Sequence, residues 1–230
     1  MEQKSFRYFD WIMAMFVAVL LISNVASTKI VDLKFMNLKF DAGTLLFPLV
    51  YIFGDVLTEV YGYRKARRVI WAGFFGALLM SVVFLIVGSL PADKEWPFQN
   101  DFMNILGFVP RIVLGSLIAY FAGEFSNSFI LAKLKIRTKG KHLWLRTIGS
   151  TVIGEGIDTI IFCMVAFYGV FPNDLLYSII ISNYIFKCSV EILFTPVTYG
   201  VVGFLKKKEN IDYYDVGTNF NPFFWKQQVV

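Results

Sequence analysis

The chain has 230 residues, 57% of them hydrophobic and 18% aromatic, with a formal net charge of +5 and a mean hydropathy of +0.60. A water-soluble domain of this size needs far more polar surface than such a composition leaves, so a globular soluble fold is excluded and the membrane class selected. A single histidine and two cysteines, Cys163 and Cys188, both inside apolar runs, give no disulfide or metal pattern.

A helix that crosses a hydrocarbon layer of about 30 Å needs roughly 20 apolar residues. The first such run, 11–30, follows Lys4 and Arg7 as a signal peptide would. It extends from Trp11 past Ile22 without a small-residue cleavage site, so it reads as a mature helix. The second, 43–61, carries Asp55 and Glu59 four apart, on one helical face. The third, 68–90, carries no charge after Arg68 at its start. The fourth, 105–132, is long and holds Arg111 near its start and Glu124 further on, as a tilted or interfacial helix would. The fifth, 148–171, places Glu155 and Asp158 three apart on one face. In the sixth, 175–204, Asn183, Lys187 and Glu191 form an i, i+4, i+8 stripe in which Lys187 can pair with Glu191. The expected fold class is all-α: an integral membrane bundle of six transmembrane helices over residues 1–208, then a short cytoplasmic tail, 209–230.

Two short internal matches suggest halves of three helices each. Helices 1 and 4 both end in a Ser-Asn pair followed by a lysine, Lys29 and Lys133. Helices 2 and 5 both carry a Gly-acid step and then a second acid, Gly54-Asp55 with Glu59 and Gly154-Glu155 with Asp158. Three helices repeated in opposite orientation fit an inverted-repeat transporter.

Charge sets the orientation. Sixteen of the 22 Lys and Arg residues fall on the side of both termini, in the runs around Lys4, Arg64, Lys139 and Lys206. The opposite side holds only Lys29, Lys34, Lys39 and Lys94. By the positive-inside rule both termini are expected in the cytoplasm of a bacterial inner membrane. The basic loops are short, lie at helix ends and lack an aromatic platform, so they read as topogenic rather than as a nucleic-acid surface. The triplet Lys206-Lys207-Lys208 also suits anionic headgroups.

Ionisable groups inside spans cost about 2.5–3.5 kcal/mol each on insertion scales. Eight such groups cannot all face lipid, so they must line a cavity or pair with one another. Interhelical ties are one reading of Lys187 and Arg111. Two carboxylates on one helical face repel unless one is protonated, which favours a polar, partly wet cavity for the acid pairs. Asn24, Asn127 and Asn183, each after a serine, suit either interhelical hydrogen bonds or recognition of a heterocycle edge. Neither a zinc-hydrolase signature, nor a Gly-x-Ser-x-Gly elbow, nor a Walker A loop is present, so no catalytic residue, cofactor or metal is expected.

Several runs carry a family resemblance. They are Gly54-Asp55-Val56-Leu57-Thr58-Glu59-Val60-Tyr61-Gly62-Tyr63 with Arg64-Lys65-Ala66-Arg67, then Gly123-Glu124-Phe125-Ser126-Asn127-Ser128, and Leu145-Arg146-Thr147-Ile148-Gly149-Ser150-Thr151. Gly154-Glu155-Gly156-Ile157-Asp158-Thr159, Lys187-Cys188-Ser189-Val190-Glu191 with Thr195-Pro196, and the stretch Glu209 to Asp215 extend it. Over nearly its whole length the chain resembles the queuosine precursor transporter family, also called the putative vitamin uptake transporter family. That resemblance implies a six-helix importer of 7-deazaguanine bases such as preQ0, preQ1 or queuine. The base would lie in a cavity walled by Asp55, Glu59, Glu124, Asn127, Glu155, Asp158, Asn183, Lys187 and Glu191. Carboxylates would accept from its donor edge, Asn and Lys would serve its acceptors, and aromatic rings would stack on it. A substrate-binding subunit served by a separate energy-coupling ATPase module is the alternative, and an intramembrane enzyme a weaker one. Expected partners are the heterocyclic base, the bilayer, and either further copies of the chain or such a module.

Overall fold

The computed structural model describes residues 6–33, 38–107, 110–169 and 172–224. Helix α1, Phe9–Ala26, buries Phe16, Leu20 and Ser23. It ends where the amides of Thr28 and Lys29 bond the carbonyls of Val25 and Ala26, three residues back instead of four, tightening the last turn and turning the chain away from the helix axis. The predicted helix to residue 30 is therefore too long. The chain turns instead into a hairpin, β1 Ile30–Leu33 against β2 Leu38–Asp41, antiparallel with Ile30 opposite Asp41 and Leu33 opposite Leu38. The fold is otherwise helical, and this short hairpin lies in the stretch between the first two apolar runs, where Leu-Lys-Phe-Asp alternates apolar and polar residues.

After a 3-10 turn at Ala42–Leu45, α2 runs Phe47–Tyr61. Its fifteen residues span only about 22 Å at 1.5 Å per residue, yet twelve of them are buried, Asp55, Thr58 and Glu59 included. A helix enclosed by others has no need of an apolar outer face, which is why it can carry acids. Gly62 alone separates it from α3, Tyr63–Ser89, with φ +85°. A side chain there would be strained and would overlap the Tyr213 ring.

A short helix α4, Gln99–Ile105, precedes α5, Pro110–Arg137. Helices α6, Leu143–Phe167, and α7, Asn173–Glu209, complete the chain's regular structure. Both α6 and α7 extend past their apolar runs because Arg146 and Lys206 find buried partners. Helices α5 and α6 make the most extensive contact in the bundle. At its centre a Cβ on Gly123 would stand 3.0 Å from the Gly154 carbonyl oxygen, and one on Gly154 3.1 Å from that of Gly123. Such backbone proximity requires small residues on both helices.

By length and apolarity four described helical segments can cross a membrane: Phe9–Ala26, Tyr63–Ser89, Leu143–Ala166 and Ile179–Glu209. Exposed Leu79, Ile86, Ile160 and Leu193 give the outside a lipid-compatible surface. Helices α2 and α5 fall short of those limits and sit among the others. All six long helices nevertheless alternate in direction. The start of α1 and the end of α7 meet where the amides of Arg7 and Tyr8 donate to Glu209, at 3.3 and 2.7 Å, and Tyr61 at the end of α2 donates to the same carboxylate. The end of α5 and the start of α6 join this same end of the bundle through Lys135 and Arg146. The hairpin, α4 and the α6–α7 turn follow the opposite helix ends.

Residues 210–224 form no helix or strand but strap the first turns of α3. Tyr63, Arg67 and Trp71, four apart on one face, donate in turn to the carbonyls of Phe220, of Asn219 and Asn221, and of Pro222. Asp215 accepts from the Tyr63 amide at 3.0 Å, satisfying a free N–H at the start of α3.

Candidate functional site

Helical spacing brings most of the expected site residues into one buried cluster. From α6, Glu155 and Asp158 face α7, where Lys187 approaches them at 3.0 and 2.8 Å. Lys187 donates a hydrogen bond to Asp158 and also lies 4.9 Å from the centre of the Phe47 ring. It pairs with the acids of the neighbouring helix, and not with Glu191 on its own, as the stripe had suggested. Both oxygens of Glu191 lack a hydrogen-bond partner among the described residues. From α5, Asn127 donates to Asp55 on α2 at 2.7 Å. Glu124, one turn earlier, is fully buried with both oxygens unpartnered, and its Oε1 fills the notch left by the missing side chain of Gly54.

Tyr51 was not among the expected residues. It lies four residues before Asp55 on α2, is buried with an unpartnered hydroxyl, and is close enough to Asp158, Glu155 and Glu124 to feel their charge. Its i, i+4 relation to Asp55 was the available signal. Asn24 turns its amide back to the Leu20 carbonyl of its own helix and so is neither an interhelical tie nor part of this cluster. The side chain of Arg111 lies outside the described residues.

Beside the cluster is a small cavity of about 30 Å³, lined by Ser27, Thr44, Phe47, Ser116, Ala119, Asp158, Thr159, Phe162, Asn183 and Lys187. These come from the end of α1, the 3-10 turn at Ala42–Leu45, the start of α2, the first halves of α5 and α7 and the later half of α6. The cavity therefore lies towards the hairpin end of the bundle, away from the termini. Asn183 reaches the site here, half-buried in the wall. Two rings, Phe47 and Phe162, face a charged and hydroxyl-bearing wall, an arrangement suited to a flat polar solute.

Glu59 is not brought to this cavity. Although one turn from Asp55, it lies at the terminal end of α2 and holds the helices together there. Its carboxylate accepts from Arg146 Nε at 3.0 Å and Nη2 at 2.6 Å, and from Lys206 Nζ at 2.7 Å. Lys135 stands 3.5 Å away and bonds Asp212 at 2.6 Å and the Tyr213 carbonyl at 2.7 Å. Arg146 also donates to the Lys141 carbonyl. Helices α2, α5, α6 and α7 and the tail are thus tied at one buried acid. Burial pushes the Asp212 carboxyl up, but the hydrogen bonds and charges of Lys135 and Lys206 outweigh it and leave the group below its ordinary range. Among the described residues no set of His, Cys, Asp and Glu is arranged to hold a metal ion.

Long apolar helices around a polar interior define a multi-pass membrane protein. Residues 41–201 match the family described as putative vitamin uptake transporter, and the chain belongs to that family. It is 33% identical over 181 residues to a probable queuosine precursor transporter of Bacillus subtilis, covering 77% of each chain. It is 29% identical over 163 residues to the queuosine precursor transporter of Escherichia coli, covering 70% of this chain and 71% of that one. A probable queuosine precursor transporter of Haemophilus influenzae is 28% identical over 163 residues, 70% of this chain and 67% of its own. No solved structure matches the chain.

Proposed function

We propose that this protein imports a queuosine precursor, a 7-deazaguanine base, across the bacterial inner membrane. The four long apolar helices cross the membrane with α2 and α5 enclosed among them, and both ends of the bundle's chain lie on the cytoplasmic side. The observation that carries the reading is the buried group of Asp158, Glu155 and Lys187 opening onto a cavity with Phe47, Phe162 and Asn183. The names of the relatives supply the solute class. A deazaguanine has ring N–H and amine donors along one edge, which Asp158 or Glu155 would accept, and a carbonyl for Asn183 or Lys187. Asn127 and Asp55 would complete the polar wall, while Glu124 and Glu191 lie deeper. The Glu59 cluster has a different role: it closes the cytoplasmic end.

A cavity of about 30 Å³ has room for a water or two and not for a bicyclic base. Binding therefore requires the walls to part, and the Lys187 contacts are the ones a donor-rich ligand would replace. Uptake of labelled preQ1, preQ0 and queuine, each in competition with the others, in cells lacking their own transporter tests the reading. Wild type should restore uptake of at least one base, and Glu155→Ala and Asp158→Ala should abolish it while still inserting in the membrane. Normal uptake by both variants would remove these acids from the site.

A further inference from the structure

We propose that Glu124 is a proton-binding site and that each solute is carried together with one proton. This rests on the transport reading above and adds the second substrate. Glu124 is entirely buried and neither of its oxygens has a hydrogen-bond partner among the described residues. Around it stand Asp55 and Tyr51 from α2, Tyr120 from its own helix, Glu155 and Asp158 from α6 and Glu191 from α7. The one cation described in this cluster, Lys187, is committed to Glu155 and Asp158. A bare carboxylate in that setting would lack both solvent and a counter-charge, which strongly disfavours the ionised form. A bound proton removes the charge.

The position suits a carrier. On α5 the cavity is lined by Ser116 and Ala119, and the Glu59 cluster is reached at Lys135. At 1.5 Å per residue Glu124 lies about 8 Å beyond the cavity and about 16 Å short of the closed end. It can meet water from one side when the cavity opens and from the other when the Glu59 cluster parts. In each cycle the carboxylate takes one proton from water outside and returns it to water inside. No other bond is made or broken. The Gly54 notch keeps the carboxyl against α2, so displacement of α2 against α5 would change its surroundings directly.

Two measurements on the purified full chain test this. Infrared spectroscopy of wild type at neutral pH should show the C=O stretch of a neutral carboxylic acid, missing in Glu124→Gln. Absence of a band that depends on Glu124 overturns the proposal without reference to any solute. In proteoliposomes with the voltage clamped, labelled preQ0, preQ1 and queuine are offered in turn. An outside-acid gradient of one pH unit should concentrate a transported base about tenfold with one proton per solute, and a protonophore should abolish this. In Glu124→Gln the same pH gradient should concentrate no base. Accumulation indifferent to the gradient, or unchanged in Glu124→Gln, overturns the coupling. If no base enters under any condition, the solute assignment fails instead, and the infrared band alone decides whether Glu124 holds a proton.

Discussion

Gly54 shows how closely single residues are fitted here. A methyl group at this position would overlap Glu124 Oε1, so Gly54→Ala must move the carboxylate from its notch. The expected loss is about 1–3 kcal/mol of stability, together with most of the uptake. Gly76→Ala, also inside a helix, meets nothing nearer than 3.5 Å and should be neutral or stabilising by up to about 1 kcal/mol. Thermal unfolding of the two variants in the same detergent separates a packing effect from a general intolerance of alanine. Asn127→Ala belongs at this scale too. It strips Asp55 of its described donor, and a buried acceptor left unsatisfied costs about 1–3 kcal/mol. Spacing along one helix made Asp55, Glu155 and Asp158 legible in the sequence. The notch occupied by Glu124 was not, because it depends on how near α5 comes to α2.

Elements meet at Glu59, where the sequence was least informative. The acid's partners come from positions 135, 146 and 206, and in sequence each reads as an ordinary topogenic cation. Truncating one partner of a buried ion pair typically costs about 3–5 kcal/mol, since the other charge is left uncompensated. Arg146→Ala should approach that loss. The double variant Glu59→Gln, Arg146→Met should lose less than the sum of its singles, and a double-mutant cycle by thermal unfolding measures the difference. The tail latch is expected to respond to acid. Asp212, held below its ordinary range by Lys135 and Lys206, contributes stability above its unfolded value and loses it as pH falls through the lower folded one. Hydrogen exchange in 210–224 should therefore rise below the normal carboxylate range in wild type. In Asp212→Asn it should be fast at all pH values.

At the scale of the whole molecule, the sequence supports a membrane bundle because apolar length and basic flanks are properties of composition. It does not yield the hairpin at 30–41 or α4, whose patterns are short and compete with strong apolar neighbours. Nor does it yield the strapped tail, which rests on aromatic and carbonyl contacts between α3 and residues far along the chain. The alternation of the six long helices gives the charge asymmetry a geometric basis. The ends that carry Arg64, Lys135, Arg146 and Lys206 are the same ends that meet at Glu59 and Glu209. Lys139, exposed between α5 and α6, belongs to this end, and Lys94, exposed before α4, to the other. Under the proposed orientation residue 139 is expected in the cytoplasm and residue 94 outside it. Single cysteines test this after Cys163→Ala and Cys188→Ala remove the native thiols. A membrane-impermeant maleimide applied to intact cells should label Lys94→Cys, and should reach Lys139→Cys only after the inner membrane is permeabilised. The reverse pattern would invert the molecule, moving the cavity to the cytoplasmic side and the Glu59 closure to the outer one.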